Sequence, residues 1–293
     1  MTARTSTAPP PFLEALEGLT AEAAQRYGPP LIGLTVVPGR VVGWVATPAQ
    51  AELVRARLAA LWPGATAQLL ILAERRARLG LHAVEPALDV WRTPPGPGSE
   101  SERATQLLPG DPPAEVIAIR PRHFLVRAPG AALGWIARDS SYRLGTPHPE
   151  GDPPVDITQA AARWNPALVL AAALAHEGQP YVWGGTGAMG VDCSGLVWRA
   201  FLSQGVLLPR NSRAQRQVGV RVRRAELGPG DLVGAVSRGP RHLSHVALML
   251  TSGEVIHACS ERSRVRREPL TDFERRYRVL TLRRIPGAVT LER

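Results

Sequence analysis

The 293-residue chain contains no lysine; all 35 of its basic residues are arginine. Against 25 acidic residues this leaves a formal net charge of +10, which alone would suggest a nucleic-acid partner. No nucleic-acid-binding motif accompanies the charge, and the abundance of Ala, Pro and Gly is what a GC-rich coding bias produces. Nucleic acid is therefore not expected as a partner. The clusters Arg221-Val222-Arg223-Arg224 and Arg262 to Arg267 alternate with apolar residues, as solvated strand or loop faces do. Cysteine is almost absent. Cys193 and Cys259 are too few for a disulfide framework, and no CxxC pair suggests structural zinc. No stretch is long and apolar enough to span a bilayer, since 160–175 is interrupted by Arg163, Asn165 and Pro166, so no membrane is expected. Met1 to Pro11 is polar and proline-rich, without the apolar run of a secretory signal, and a cytoplasmic location is the expectation.

With 44% apolar residues, the composition is that of a folded chain long enough for two domains or three small ones. Phe12 to Tyr27 has helical spacing and stops at Gly28-Pro29-Pro30. Leu31 to Val37 and Val41 to Ala46 are β-rich runs around Pro38-Gly39-Arg40, Thr47-Pro48 opens a helix through Leu61, and Ala67 to Ala73 reads as a further strand. The resulting α-β-β-α-β order, placed at 1–80, is similar to BON-type modules and is read as an auxiliary packing or substrate-shaping domain. From His82 the texture changes to short strands between turn signals: Ala83-Val84, Ala87 to Trp91, Ala114 to Arg120, Phe124 to Arg127 and Leu133 to Ile136. This spacing predicts a small antiparallel barrel over 81–146. Thr105-Gln106-Leu107-Leu108-Pro109-Gly110 and Leu133-Gly134-Trp135-Ile136 resemble a bacterial SH3-like module, with Trp135 expected to close the barrel. The Gly/Pro-rich stretch from Arg143 to Asp156 marks a linker, set at 147–164, before a third domain at 165–293. Asn165-Pro166 caps a helix running to about His176, which is read as a capping or surface histidine.

The chemistry concentrates in that third domain. Gly178-Gln179-Pro180-Tyr181-Val182-Trp183-Gly184-Gly185 reads as an approach loop. Asp192 reads as the N-cap of a helix whose apolar face carries Leu196, Val197, Ala200 and Phe201 and which ends at Gly205. Cys193 then lies in the first turn, where unpaired amides and the helix dipole are expected to lower its pKa, as suits a nucleophile. A thiol nucleophile needs an imidazole as proton acceptor, and that imidazole needs a third group on its other nitrogen. His245 and His257 lie on two strand-like runs, Leu243 to Leu250 and Glu254 to Cys259. They share a sheet face if the connection contains an odd number of residues, as a Ser252-Gly253-Glu254 loop would. A zinc site from His242, His245, His257 and Cys193 has suitable ligand types but matches no zinc signature. Cys259 is read as a small core residue.

Gln179-Pro180-Tyr181-Val182-Trp183-Gly184-Gly185, Asp192-Cys193-Ser194-Gly195-Leu196-Val197, Leu208-Pro209-Arg210-Asn211-Ser212, Pro229-Gly230-Asp231-Leu232, Ser244-His245-Val246-Ala247 and Ile256-His257-Ala258 occur in the order of the NlpC family. The stretch from Leu168 to Leu282 resembles these papain-like peptidases of bacterial wall peptides. The resemblance implies an α+β fold with a Cys-bearing helix packed on an antiparallel sheet. It also implies Cys193 as nucleophile, His245 as base, His257 as its orienting residue, and Tyr181 with the Cys193 amide at the oxyanion. Family members with SH3-like modules hydrolyse γ-D-glutamyl-diamino acid bonds of muropeptides with a free N-terminal L-Ala. The ammonium would meet Asp192 and Ser194, residues equally open to bland roles as helix cap and first-turn filler. No cofactor is implied. Recycling of imported wall peptides is the expected setting, with an exported remodelling hydrolase or an inactive wall-peptide binder as the rivals. Gly234-Ala235-Val236 departs from the family's aromatic pair after the Pro-Gly-Asp-Leu turn, and Cys259 stands where a small polar residue is common.

Overall fold

A computed structural model describes residues 32–287 apart from 38–39, 46–47, 72–78, 85, 97, 99, 121, 139, 146–163, 188 and 241. The helix expected over Phe12 to Tyr27 and most of the expected linker lie outside the described residues.

The chain first forms β1 (Ile32–Val37) and β2 (Arg40–Val45), an antiparallel pair. Helix α1 (Pro48–Leu61) then crosses to β3 (Thr66–Ile71), which pairs parallel to β2. Such a parallel connection needs a crossover element, and α1 supplies it.

Seven strands follow: β4 (Gly80–Ala83), β5 (Leu88–Trp91), β6 (Arg103–Leu107), β7 (Ala114–Ile119), β8 (His123–Arg127), β9 (Leu133–Ala137) and β10 (Tyr142–Gly145). They form one curled antiparallel sheet in the order β10-β4-β7-β8-β9-β5-β6. Its two faces separate the alternating side chains. Leu81, Leu88, Val90, Val116, Phe124 and Val126 pack inside the curl. Ile117, Leu125, Leu133 and Trp135 meet Val45, Ala51, Val54 and Ile71 of the first module. The sheet is a half-barrel and not the closed barrel expected, because β6 and β10 do not pair with each other. Trp135 accordingly closes nothing; it lies on the face turned to the first module. Two boundaries also shift: Arg143 to Gly145 belong to β10, and Trp164 is core, its ring 4.8 Å from that of Phe201 and its indole N–H donating to Pro286 O.

The C-terminal domain is α+β. Helices α2 (Pro166–Leu174) and α3 (Cys193–Leu202) pack together on a six-stranded sheet, with a single-turn α4 (Ser212–Gln215) following the Leu208-Pro209-Arg210-Asn211 segment. The strands are β11 (Val220–Arg221), β12 (Leu232–Ser237), β13 (Ser244–Met249), β14 (Glu254–Cys259), β15 (Arg264–Pro269) and β16 (Tyr277–Arg284), ordered β11-β16-β12-β13-β14-β15. One sheet face buries Val246, Leu248, Ile256 and Ala258 against α3. The other buries Ala247, Met249 and Val255 against Leu270 and Phe273 of α5 (Leu270–Arg276). The period-two alternation along β13 and β14 thus divides the two cores. Among the described residues, no helix is long and apolar enough to cross a membrane.

Candidate active site

The approach segment is fixed by pairing along the free edge of β15. Gly178 N donates to Val265 O, Val265 N to Gln179 O, and Tyr181 N to Ser263 O. Asp192 has extended backbone (φ −91°, ψ 177°) and accepts from Gly195 N at 2.6 Å, the N-cap geometry expected from sequence. Gly195 is required by contact: a Cβ there would lie 2.1 Å from Gly185 O, so only glycine lets the approach loop close over the first turn of α3. Gly184 combines φ of +70° with the Arg103 backbone of β6, whose carbonyl oxygen would lie 2.6 Å from an added Cβ.

Cys193 therefore sits at the start of α3, only 6% exposed, with the backbone amides of Val246 and Ser194 near its sulfur and favouring the thiolate. Burial and the Asp192 carboxylate push the thiol up to about 12, over the opposing effect of those amides and Arg210. The lowered pKa expected from the helix N-terminus is thus overturned. Desolvation of a buried sulfur outweighs the dipole.

Leu250 N donates to Glu254 O, so the connection between β13 and β14 is the three-residue Thr251-Ser252-Gly253. That odd count, one residue earlier than anticipated, brings both histidines to one face. His245 Nε2 lies 2.8 Å from His257 Nδ1, the two rings nearly perpendicular at 88°. His245 stacks on Tyr277 at 4.2 Å, and Tyr277 stacks in turn on Phe273. Burial, then the neighbouring His257 and Arg276, hold His245 well below the usual imidazole range, with Asp192 opposing. Burial, Arg276 and Arg266 lower His257 to about 3. Around neutral pH the resting site is a neutral thiol beside two neutral imidazoles.

Two participants were not anticipated. Glu268 of β15 is buried, with Oε1 3.0 Å from His257 Nε2, a contact at ion-pair distance but without the alignment of a hydrogen bond. Its other oxygen faces Arg276 and Arg266. Arg210 was quoted only as part of a motif, yet it binds Asp192 through both carboxylate oxygens, at 3.0 and 2.9 Å. It also donates to Ser194 Oγ, Gly185 O and, across the domain boundary, Thr105 Oγ1. Asp192 accepts in addition from Gly184 N and Ser194 Oγ. Five donors saturate a carboxylate, so an ammonium at Asp192 and Ser194 would have to displace one of them. Their occupant is Arg210.

Tyr181 is half-buried against the α3 core, and burial, then the Cys193 and Asp192 charges, push its phenol up, leaving it a hydrogen-bond donor at any physiological pH. Cys259 is fully buried with Sγ 3.8 Å from Tyr277 Oη. His176 Nδ1 meets Gln179 Oε1 at 2.9 Å. His242 lies in an exposed turn at φ 43°, and among the described residues no group of three His, Cys, Asp or Glu is arranged to hold a metal.

Further contacts tie the half-barrel to this domain. Thr186 Oγ1 donates to Gln106 O at 3.0 Å, Arg199 Nη2 to Asp111 Oδ2 at 3.0 Å, and Arg210 N to Gly130 O at 2.9 Å.

A cysteine at the head of a helix, beside the Val246 backbone that follows His245, with a histidine pair on the same antiparallel sheet, defines a papain-like α+β domain. Residues 178–284 match the model of the NlpC/P60 family, and the chain's C-terminal domain belongs to that family. The chain is similar to gamma-D-glutamyl-L-lysine dipeptidyl-peptidase of Bacillus cereus, 39% identical over 82 residues, 28% of this chain and 25% of the relative. It is similar also to peptidoglycan endopeptidase RipB of Mycobacterium tuberculosis, 37% identical over 127 residues, 39% of this chain and 52% of the relative. The solved structure of peptidoglycan hydrolase RipB from that organism aligns with a TM-score of 0.37 at 32% identity, covering 46% of this chain and 73% of the other. The chain spans between a quarter and about half the length of these curated relatives.

Proposed function

We propose that the protein is a cysteine endopeptidase acting on peptides derived from bacterial peptidoglycan. The observation that carries this reading is Cys193 at the head of α3, near the amide of Val246, with His245, the residue before Val246, joined to His257 at 2.8 Å. His245 takes the thiol proton through the ring nitrogen that His257 leaves free. The sulfur attacks the scissile carbonyl carbon as that proton leaves, because a resting thiolate would be buried without compensation. The Cys193 amide and the Tyr181 hydroxyl stabilise the oxyanion. His245 then protonates the departing amine, leaving a thioester that water hydrolyses with His245 again as base.

The favoured substrate is a peptide in which γ-D-glutamate is followed by a diamino acid and preceded by a free N-terminal L-Ala. The names of the similar proteins support the wall-peptide class, and the half-barrel placed against the approach loop is read as an SH3-like module shaping that cleft. Recycling of wall peptides in the cytoplasm is the setting proposed.

Mass spectrometry of L-Ala-γ-D-Glu-diamino-acid peptides, free and N-acetylated, incubated with the protein and with Cys193→Ala tests this. Cleavage after glutamate by the native chain alone supports the activity. Cleavage of the acetylated form at an equal rate removes the free-amine requirement and favours remodelling of the wall. Absence of cleavage together with unmodified Cys193 after treatment with a thiol-directed electrophile leaves a binding protein.

A further inference from the structure

Neutral imidazoles exist in two tautomers, and a chain of two can transmit the choice made at one end to the other. Here the end of the chain is Glu268, a carboxylate on β15 that lies diagonally across the sheet from His257, whose direct partner is Arg266. The diagonal position is within reach of a long side chain. We infer that Glu268 is a positioning residue that sets the tautomers of both histidines and thereby leaves His245 Nδ1 unprotonated, free to act as the base. This rests on the cysteine-peptidase reading of the site.

An ionised carboxylate only accepts. Glu268 Oε1, 3.0 Å from His257 Nε2, therefore favours the proton on that nitrogen. Neutral His257 then carries its lone pair on Nδ1, and the 2.8 Å contact to His245 Nε2 holds only one hydrogen, which must come from His245. With its proton on Nε2, His245 presents an unprotonated Nδ1, the form a general base requires. The opposite assignment would set a lone pair of His257 against the carboxylate and place the proton of His245 on Nδ1. Such a site would hold the same atoms and lack a base.

The groups around the carboxylate enforce the choice. Arg266 of β15 and Arg276 of α5 both face Oε2, which leaves Oε1 as the oxygen beside the imidazole. Arg276 is shared with Glu261 at 3.9 Å. Tyr277, paired with Cys259, packs on His245 and supplies no competing carboxylate. Glu268 is itself 2% exposed, so water does not substitute for it.

Two measurements test this. In 15N-histidine-labelled native protein, NMR shifts should report protons on Nε2 of both His245 and His257 near neutral pH. A proton on His245 Nδ1 would overturn the inference, and this observation needs no substrate and no variant. In Glu268→Gln, the two arginines retain the amide oxygen and its NH2 faces His257, which reverses both tautomers. The expected result is a loss of about 10²–10⁴ in kcat with KM changed less than about threefold, while Glu268→Asp recovers at least tenfold of that loss. A folded Glu268→Gln with kcat within about threefold of native would overturn the inference. If the native chain cleaves no peptide yet shows the tautomers above, the peptidase reading fails and the positioning role stands.

Discussion

Arg210 forks onto Asp192, with Nη1 3.0 Å from Oδ1 and Nη2 2.9 Å from Oδ2, both side chains removed from solvent. The residue that caps the nucleophile helix is thus clamped by a guanidinium that also reaches Thr105 of the half-barrel. Removing one partner of such a pair leaves a buried charge. Arg210→Ala is expected to cost about 3–5 kcal/mol of unfolding free energy, measured by urea denaturation. Thr105→Val, which loses only the inter-domain hydrogen bond, should cost about 1 kcal/mol.

Because Asp192 is saturated, its conversion to Asn should act on stability and not on substrate choice. Asn keeps the N-cap but gives up the charge facing Arg210. The ratio of kcat/KM for free and N-acetylated peptides should stay within about twofold of native, whereas the urea midpoint falls. A selective loss with the free peptide would return the amine site to Asp192.

The buried histidines make stability depend on pH with a definite sign. Their pKa values are depressed in the fold, to about 3 for His257, so on acidification the unfolded chain takes up protons first. Stability is full above the ordinary histidine range and falls as pH drops below about 6.5. Each histidine contributes a slope approaching about 1.4 kcal/mol per pH unit, and that of His257 levels off near pH 3. Cys193, raised to about 12, acts in the other direction, and stability declines as pH rises through the unfolded thiol range near 9. Urea midpoints across pH check both limbs. His257→Asn should flatten the acidic one and Cys193→Ala the alkaline one.

Tyr181→Phe removes the proposed oxyanion donor while preserving the ring that packs on the α3 core. The expected loss is about 10²-fold in kcat with little change in KM, read from steady-state peptide cleavage. Equal loss in KM and none in kcat would place Tyr181 in substrate binding instead.

Gly195→Ala should yield little folded protein, since the added methyl would sit 2.1 Å from Gly185 O. Soluble yield and circular dichroism provide the measurement. Normal folding would require the approach loop to give way, and peptide cleavage should then fall with it.

What could be read from the sequence was what is local. Asp192, Cys193 and the apolar face of α3 fall within one helical period, and the His245–His257 face follows from strand alternation plus an odd loop. Glu268 escaped notice because it is one acid beside the Arg262 to Arg267 run, and its contact with His257 depends on the β14–β15 register. Tyr277 escaped because it stands where α5 ends and β16 begins, outside any periodic pattern. The Arg210–Asp192 fork joins residues brought together by the closing of two loops, a tertiary event without a spacing rule. The closed barrel failed for a similar reason: strand spacing says nothing of an edge strand that meets a second domain.

That edge has a practical meaning. Strand β6 spends its outer side on Gly184, Thr186 and Arg210, so the half-barrel and the nucleophile helix are fitted parts rather than beads on a string. Exchange of this module for a homologous one would need matched changes within a few residues of Cys193. The half-barrel separated from the C-terminal domain would carry β6 as an uncovered strand edge, inviting self-association. The architecture therefore resists the domain shuffling that modular chains usually permit.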